Sequence, residues 1–542
     1  MPSADKSAAP ASLCVAIIAR DAAALLEATL ESVRPTADRV VVLDTGSQDG
    51  TQEIARRGGA FVHEAAWGDD FAAARNACLA HVAGDWVLWL DAGETLEDMT
   101  ALRLRKFIDR EASPEKAYMI FVQLASTAPQ LSGEQIGQLR LLPSREGLQF
   151  EGRVRERILP SVLAAGLDVD ALSCQIQRPA EDHTAERREA KARRNLRIAA
   201  LAEQEDGESP TVCMVRAEAH QILGRPEQAE QLYRRTIELA QRGSSEMLEA
   251  YYGLLTSFDN RPAQSEVQIA TCLEALDVFP LDAQLLCGMG SYLIKQGRLE
   301  LAARSYEIAA THGQVDPATW HLADIGEVAV SCLALTHQLQ NHHDEARQIL
   351  AEALGQRPES MRLRRQLLEL YVKTADRAAA LAEFDRLPRD LQGREALRSA
   401  VRGALLAVER NWLAAEPYLK TAFTAGCRDP LCLRWLTVSY LALDKLGAAE
   451  QILQAWRASE PTSSETVAYE NALAERKKAS RRDDRKPHNL SGTPAGRGAS
   501  STTGRDQRRV RIDAAETIGG VDPPAIIPSS MFPSVSEPPA TT

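Results

Sequence analysis

Two kinds of apolar spacing follow each other along the first third of the chain. Leu13–Ile18 is a continuous apolar run with β-branched residues, the pattern of a strand buried on both faces. After it, Leu25, Leu26, Leu30 and Val33 fall on one face of a helix, predicted over Leu25–Val33. Arg39–Leu43 (RVVVL) reads as a second buried strand, and Asp44-Thr45-Gly46-Ser47 as the turn that ends it. Ser47 or Asp49 is the expected cap of a helix over Thr51–Arg57. Ala60–His63 is a third strand, Phe71–Val82 a helix with Asp69 or Asp70 as its cap, and Trp86–Leu90 (WVLWL) a fourth strand stopping at Asp91. Repeated strand–helix–strand units predict an α/β, Rossmann-like domain, with a mostly parallel sheet and helices on both faces. Ligands of such sheets bind at the carboxyl ends of the strands, where Asp44 and Asp91 both stand. The expectation is that these acidic turns top adjacent parallel strands and enclose one pocket.

From about Ala185 to Ala474 the strand pattern disappears and helical spacing takes over. A small or polar residue is followed five positions later by Ala and nine positions later by a larger apolar or aromatic residue. The triplets are Gly224/Ala229/Tyr233, Gly297/Ala302/Tyr306, Asn341/Ala346/Leu350, Ala375/Ala380/Phe384, Arg410/Ala415/Leu419 and Asp444/Ala449/Leu453. The last four begin at 341, 375, 410 and 444, which is the tetratricopeptide period of about 34 residues. Two antiparallel helices turn at the first residue, Ala lets them approach, and the larger residue fills the gap. One such unit cannot bury its face alone, so units stack into an all-α tetratricopeptide superhelix. The stretch 244–277 lacks the triplet and reads as an irregular unit.

Beyond about Arg476 the chain is rich in Ser, Thr, Pro, Gly and Arg and offers no core, so a disordered tail is expected. Its basic part, 476–511, is either a solvated linker or an electrostatic tether to a membrane surface or acidic partner. The implied organisation is a disordered N-terminus (1–11), the α/β domain (12–184), a connecting helix (185–207), helical repeats (208–474) and the tail (475–542). The 542-residue chain has a formal net charge of −12, which disfavours nucleic acid as a general partner. Nine scattered cysteines form no C-x-x-C pair and predict reduced thiols in a cytoplasmic protein. No secretory leader is apparent, and no apolar run reaches the roughly 20 residues of a membrane span.

The segment LDTGSQDGT has one nucleotide-binding and one purely structural reading. A carboxylate at a strand end accepts hydrogen bonds from ribose or a base edge, Gly46 and Gly50 allow close backbone approach, and a helix N-terminus favours anions. The same residues also make an ordinary β-to-α turn. In WLDAGE, Asp91 and Glu94 are either a carboxylate pair holding a divalent cation or the two ends of a capping box. Arg75 is either a contact to phosphate or to the acidic turns, or a surface residue.

Taken together, IIARDAAALLEATLESV, DRVVVLDTGSQDGTQEIA, WGDDFAAARNACL and GDWVLWLDAGETL, in that order, resemble glycosyltransferase family 2 over residues 12–180. The branch that resembles it most is the bacterial one with tetratricopeptide repeats behind the catalytic domain. The resemblance implies a GT-A fold, a nucleotide-diphosphate sugar of the UDP type as donor, and inversion at the anomeric carbon. It places Asp44, with Gly46, Ser47 and Asp49, on the nucleoside side. Asp91 takes the first acidic position of the family's D-x-D, Mn or Mg being the metal there. The sequence departs from the family at Asp21-Ala22, at Gly93 in the second acidic position, and at Arg155 in FEGRVRE, where the family has His. In a late element, IQRPAEDH, only His183 carries an imidazole. Glu94 would replace the lost acid, Arg155 would neutralise the diphosphate, and Glu156, then Glu151, would deprotonate the acceptor. A protein, peptide or glycan acceptor would be recruited by the repeats. The alternative implied by Gly93 and Arg155 is a catalytically inactive scaffold, a pseudoenzyme whose repeats bind proteins.

Overall fold

The computed structural model describes residues 10–124, 133–179, 185–258, 265–459 and 464–483. The chain forms two compact units, one up to Ala329 and one from Val330. The first begins with β1 (Leu13–Ala19), α1 (Ala23–Val33), β2 (Arg39–Asp44), α2 (Thr51–Arg57), β3 (Phe61–Glu64), α3 (Phe71–Leu79) and β4 (Trp86–Trp89). It continues with α4 (Asp98–Arg110), β5 (Lys116–Leu124), β6 (Glu134–Pro143), α5 (Leu159–Ala164) and β7 (Asp168–Arg178). The sheet order is β3-β2-β1-β4-β6-β5-β7. Strands β3, β2, β1 and β4 are mutually parallel, and β6 is antiparallel to both β4 and β5.

Connections from β1 run outward through β2 to β3, and the chain then returns to β4 on the other side of β1. The switch point of this α/β sheet is therefore the carboxyl end of β1 and β4. The expectation of adjacent acidic strands is corrected here, because β1 stands between β2 and β4. Two strand spacings put the Asp44 and Asp91 backbones roughly 10 Å apart. The sheet is buried on both faces. Leu26, Leu30, Ala55, Leu104 and Ile108, from α1, α2 and α4, pack on one. Phe71, Ala74 and Val162, from α3 and α5, pack on the other. Helix α3 stops at Leu79, short of Val82, where the Ala80 and His81 N–H groups close onto the last turn.

Still in the first unit come α6 (Ala185–Asp206), α7 (Pro210–Ile222), α8 (Pro226–Leu239), α9 (Ser245–Phe258), α10 (Ser265–Val278), α11 (Ala283–Lys295) and α12 (Leu299–His312). Ile198, Ala199 and Ala202 of α6 and Val212 and Val215 of α7 belong to the second sheet-face core, so the helical region begins on the sheet itself. After α12 the chain returns to the sheet. The two-residue β8 (His321–Leu322) pairs antiparallel with the start of β6, and Trp320 joins the core on the α1/α4 face. Nothing in the sequence pattern marks this strand.

Helix α13 (Ile325–Leu339) leads into the second unit. There α14 (His343–Gln356), α15 (Met361–Lys373), α16 (Arg377–Asp385), α17 (Arg394–Val408), α18 (Trp412–Thr424), α19 (Pro430–Ala442), α20 (Leu446–Ser459) and α21 (Ser464–Asp483) follow in antiparallel succession. The six triplets are explained residue by residue. Gly224, Gly297, Asn341, Ala375, Arg410 and Asp444 all adopt positive φ, between 56 and 72°, which ends one helix and reverses the chain. Ala229, Ala302, Ala346, Ala380, Ala415 and Ala449 are wholly buried. The irregular stretch is α9 and most of α10. Helix α21 runs nine residues past Ala474, which corrects the expected start of the tail; the remainder of the tail lies outside the described residues, as does His183.

Candidate functional site

The loops leaving β1 and β2 are fastened to each other. Asp21 N–H donates to Ser47 Oγ (2.9 Å) and Gln48 N–H to Asp21 Oδ1 (2.8 Å). Ala22 N–H donates to Thr51 Oγ1 (2.8 Å) and Ala23 N–H to Asp49 Oδ2 (2.9 Å). Orphan N–H groups at the start of α1 are thus satisfied by the next loop rather than by a cap of their own. Asp49 also accepts from Thr51 N–H (3.1 Å), while Gly50, at φ 89°, is the residue that enters α2. Ser47 and Asp49, expected at the nucleotide, fasten the two loops through these contacts.

Asp44 is different. Its Oδ1 accepts from Gly46 N–H (3.0 Å), Ser47 N–H (2.9 Å) and Gln52 Nε2 (3.0 Å). Its Oδ2 is buried and has no hydrogen-bond partner. Burial pushes this carboxyl up, but the bonds from Ser47, Gln52 and Gly46 outweigh it and hold it below the ordinary value. Asp44 is therefore a fixed carboxylate with one oxygen unspent.

At the tip of β4, Glu94 Oε2 accepts from Asp91 N–H at 2.9 Å, as in a capping box, yet no helix starts there: α4 begins at Asp98. Both carboxylates instead meet arginines. Asp91 Oδ1 pairs with Arg75 (3.1 Å), and Oδ2 with Arg140 (3.3 Å) and Arg178 (3.5 Å). Glu94 Oε1 takes Arg140 (3.0 Å) and Arg178 (2.7 Å). Arg75 reaches on through Nε to Glu156 Oε1 (2.7 Å), its guanidinium 5.0 Å from the Trp89 ring centre and 5.3 Å from that of Phe150. Three guanidinium groups and three carboxylates thus form one balanced cluster, every side chain at most 8% exposed. Burial would raise the Asp91 carboxyl, but Arg140, then Arg75 and Arg178, hold it at about 2. Burial raises Glu156 above its ordinary value, with Arg75 opposing only in part.

A magnesium- or manganese-type ion wants several oxygen ligands around it. Asp91 and Glu94 have already given their oxygens to guanidinium and N–H donors, and Gly93 offers no side chain. Among the described residues no group of three or more His, Cys, Asp or Glu could hold a metal. Asp91 and Glu94, expected to hold a divalent cation, are engaged here by three arginines and a backbone N–H. Arg75 is no surface residue; it anchors the acidic turn and the Glu156 loop.

The segment after β6 places the remaining candidates. Glu151 and Arg157 exchange backbone hydrogen bonds, both 2.9 Å, closing a short loop between them. Glu151 is exposed at the base of that loop, and Glu156 lies inside against Arg75. Arg155 points away, pairing with Glu218 of α7 and with Glu249 of α9 (2.5 Å). Expected at the diphosphate, it is paired here with two glutamates of the helical region. Arg140 and Arg178 escaped the sequence reading. Their only signal is a charged residue inside a strand, in IGQLRLLP and CQIQRP.

Residues 14–113 match the family model described as glycosyl transferase family 2, and residues 339–403 match a tetratricopeptide repeat model. The chain carries an N-terminal glycosyltransferase family 2 domain. Tetratricopeptide repeats lie behind it. Over 157 residues the chain is 37% identical to a TPR repeat-containing protein of Synechococcus elongatus, covering 29% of this chain and 38% of that one. A tetratricopeptide repeat protein from Parabacteroides merdae is 15% identical, with a TM-score of 0.37, over 49% of this chain and 98% of that one. A mannosyltransferase from Pyrobaculum calidifontis, solved with GDP-Man and Mn2+, is 18% identical, with a TM-score of 0.27, over 49% and 88%. No helix among the described residues is long and apolar enough to cross a membrane.

Proposed function

We propose that the glycosyltransferase family 2 domain transfers a sugar from a nucleoside-diphosphate sugar to a hydroxyl of a protein, peptide or glycan acceptor, and that the repeats recruit that acceptor. The observation that carries this reading is the unspent Asp44 oxygen at the carboxyl end of β2. A buried acceptor without a donor is costly. A base-edge N–H or a ribose hydroxyl supplies the missing donor. From Asp44 the carboxyl ends of β2, β1 and β4 follow in order, and the reading lays diphosphate and sugar along them beyond the nucleoside.

Family resemblance implies inversion. The acceptor oxygen bonds to the anomeric carbon while the bond from that carbon to the phosphate oxygen breaks. The nucleoside diphosphate leaves, and the acceptor proton passes to a carboxylate. Glu156, which burial raises and Arg75 orients, is the first candidate for that base, and Glu151 the second.

Thermal shift of the full chain with UDP, GDP and their sugars, each with Mg²⁺, Mn²⁺ or EDTA, tests the reading. Ligand at 100 times its Kd stabilises the folded state by about 2.7 kcal/mol. At least one nucleotide is expected to raise the melting temperature equally with cation and with chelator, and Asp44→Ala to lose the effect. No shift with any nucleotide overturns the proposal. A second reading is favoured by the arginine-locked acids: a nucleotide-binding module without turnover, its repeats acting as a protein-interaction scaffold. Binding without release of nucleoside diphosphate from any sugar donor would select it.

A further inference from the structure

The loop between Glu151 and Arg157 is sorted by parity. Arg153, Arg155 and Arg157 face the helical region. Arg153 binds Glu205 of α6 through Nε (2.5 Å), Arg155 binds Glu218 and Glu249, and Arg157 binds Glu246 of α9 (2.7 Å). Val154 and Glu156 face the sheet, Val154 in its core and Glu156 on Arg75. Helices α6, α7 and α9 therefore grip one edge of a loop whose other edge is part of the buried charge cluster.

Arg155 is the strongest of these grips and sits next to Glu156. Its partners are largely buried, with side-chain exposures of 8% for Glu218 and 14% for Glu249. Its backbone is at φ 54°, a left-handed conformation costing a non-glycine residue about 1 kcal/mol. The loop base is pinned by the Glu151–Arg157 bridge, and the Arg153 carbonyl accepts from Phe71 N–H (2.9 Å). The peptide that follows Arg155 carries Glu156, so where the two glutamates hold Arg155 decides where Glu156 meets Arg75.

We infer that Arg155 is a positioning residue through which helices α7 and α9 hold Glu156 against Arg75. The part of this inference that concerns turnover rests on the transferase reading above. The position where the family has His is thus occupied by a residue that ties the loop to the helices, and integrity of α7 and α9 becomes a condition of a well-formed site.

The test alters the two helix glutamates and, separately, the loop arginine. Glu218→Gln with Glu249→Gln removes both charges and keeps their shape, and Arg155→Lys keeps the charge but loses the planar fork. In full-length protein, donor turnover is measured as kcat and KM for nucleoside diphosphate release, hydrogen exchange is followed by peptide, and a melting curve monitors folding. The double variant is expected to lose about tenfold in kcat with donor KM within twofold of wild type. Amides of 150–157 should exchange at least fivefold faster while those of β1 and β4 are unchanged, and Arg155→Lys should fall in between. A double variant with wild-type kcat, or wild-type exchange over 150–157, overturns the inference. If the wild-type chain neither binds nor cleaves any nucleotide sugar, the transferase reading fails by itself. The exchange arm then still decides whether Glu218 and Glu249 hold the loop.

Discussion

Asp91→Asn is the sharpest probe of the charge cluster. The substitution keeps the side-chain shape but leaves three guanidinium groups against two carboxylates, all nearly buried. Removing one member of a buried ion pair typically costs about 3–5 kcal/mol, because the partner charge stays desolvated. A second route to the size is the carboxyl itself. Its fall from 3.8 to about 2 means that the folded state prefers the charged form by about 2–3 kcal/mol. The two routes bracket an expected loss of about 2–5 kcal/mol, or about 3–7 °C in the melting of a unit this large.

The pH dependence gives an independent readout. Because the folded-state value is depressed, the contribution of Asp91 is complete above the unfolded value and lost as pH falls from 3.8 towards about 2. Wild type should therefore show a steep acid limb in that window in urea titrations, and Asp91→Asn a flatter one. Adding Arg140→Gln restores the charge count, so the double variant should recover at least 1 kcal/mol relative to the sum of the single losses (about 1 kcal/mol or more is typical of coupled neighbours). A single variant within about 0.5 kcal/mol of wild type, the scale of an ordinary surface substitution, would refute the cluster as a stabilising unit. So would an unchanged acid limb.

Other sites give predictions of different sign. Burial raises Asp282, the cap of α11 that accepts from Tyr252 (2.7 Å), to about 6, so the folded state holds its proton longer than the unfolded chain. Stability should then fall as pH rises from about 4 to 6, and Asp282→Asn should gain about 1–3 kcal/mol at pH 7 and little at pH 4, read from denaturant midpoints at the two pH values. Trp320→Ala removes the indole that β8 carries into the sheet core and should cost the first unit about 3–5 kcal/mol in chemical denaturation. Ala375→Gly relieves a non-glycine φ of 57° and should stabilise the second unit by about 0.5–1 kcal/mol, seen as a higher melting point.

What the sequence discloses and what it hides divides by range. The first four strands, their helices and the six repeat triplets rest on spacing within a few residues, and their cause is local: a buried strand, a helix face, a left-handed turn followed by a small residue. Asp44 was legible for the same reason, since its partners Gly46, Ser47 and Gln52 lie within eight positions. The β4 tip was not. Asp91 and Glu94 carried the same letters whether they bound a cation, capped a helix or met arginines, and the deciding residues, Arg140 and Arg178, lie 46 to 87 positions away in strands that no local spacing singled out. Strand β8 was hidden more completely. Two residues carry no period, and their pairing with Glu134 and Gln135 depends on where the helices bring them.

The two departures from the family pattern acquire a common physical sense from this. At Gly93 the N–H donates to Thr29 Oγ1 (2.8 Å), φ is 104°, and a Cβ would come within 3.2 Å of Leu25 Cδ1. The turn is built around a residue without a side chain: an acid there would be strained at this φ and would press on the Leu25 side chain. The charge of Asp91 is balanced instead by Arg75, Arg140 and Arg178. Arg75 then needs its own second partner, which is Glu156, and Glu156 is delivered by a loop that Arg155 anchors to Glu218 and Glu249. Loss of an acid at one position and gain of a guanidinium at the other are thus linked through one run of ion pairs. That run connects the tip of β4 to helices α7 and α9.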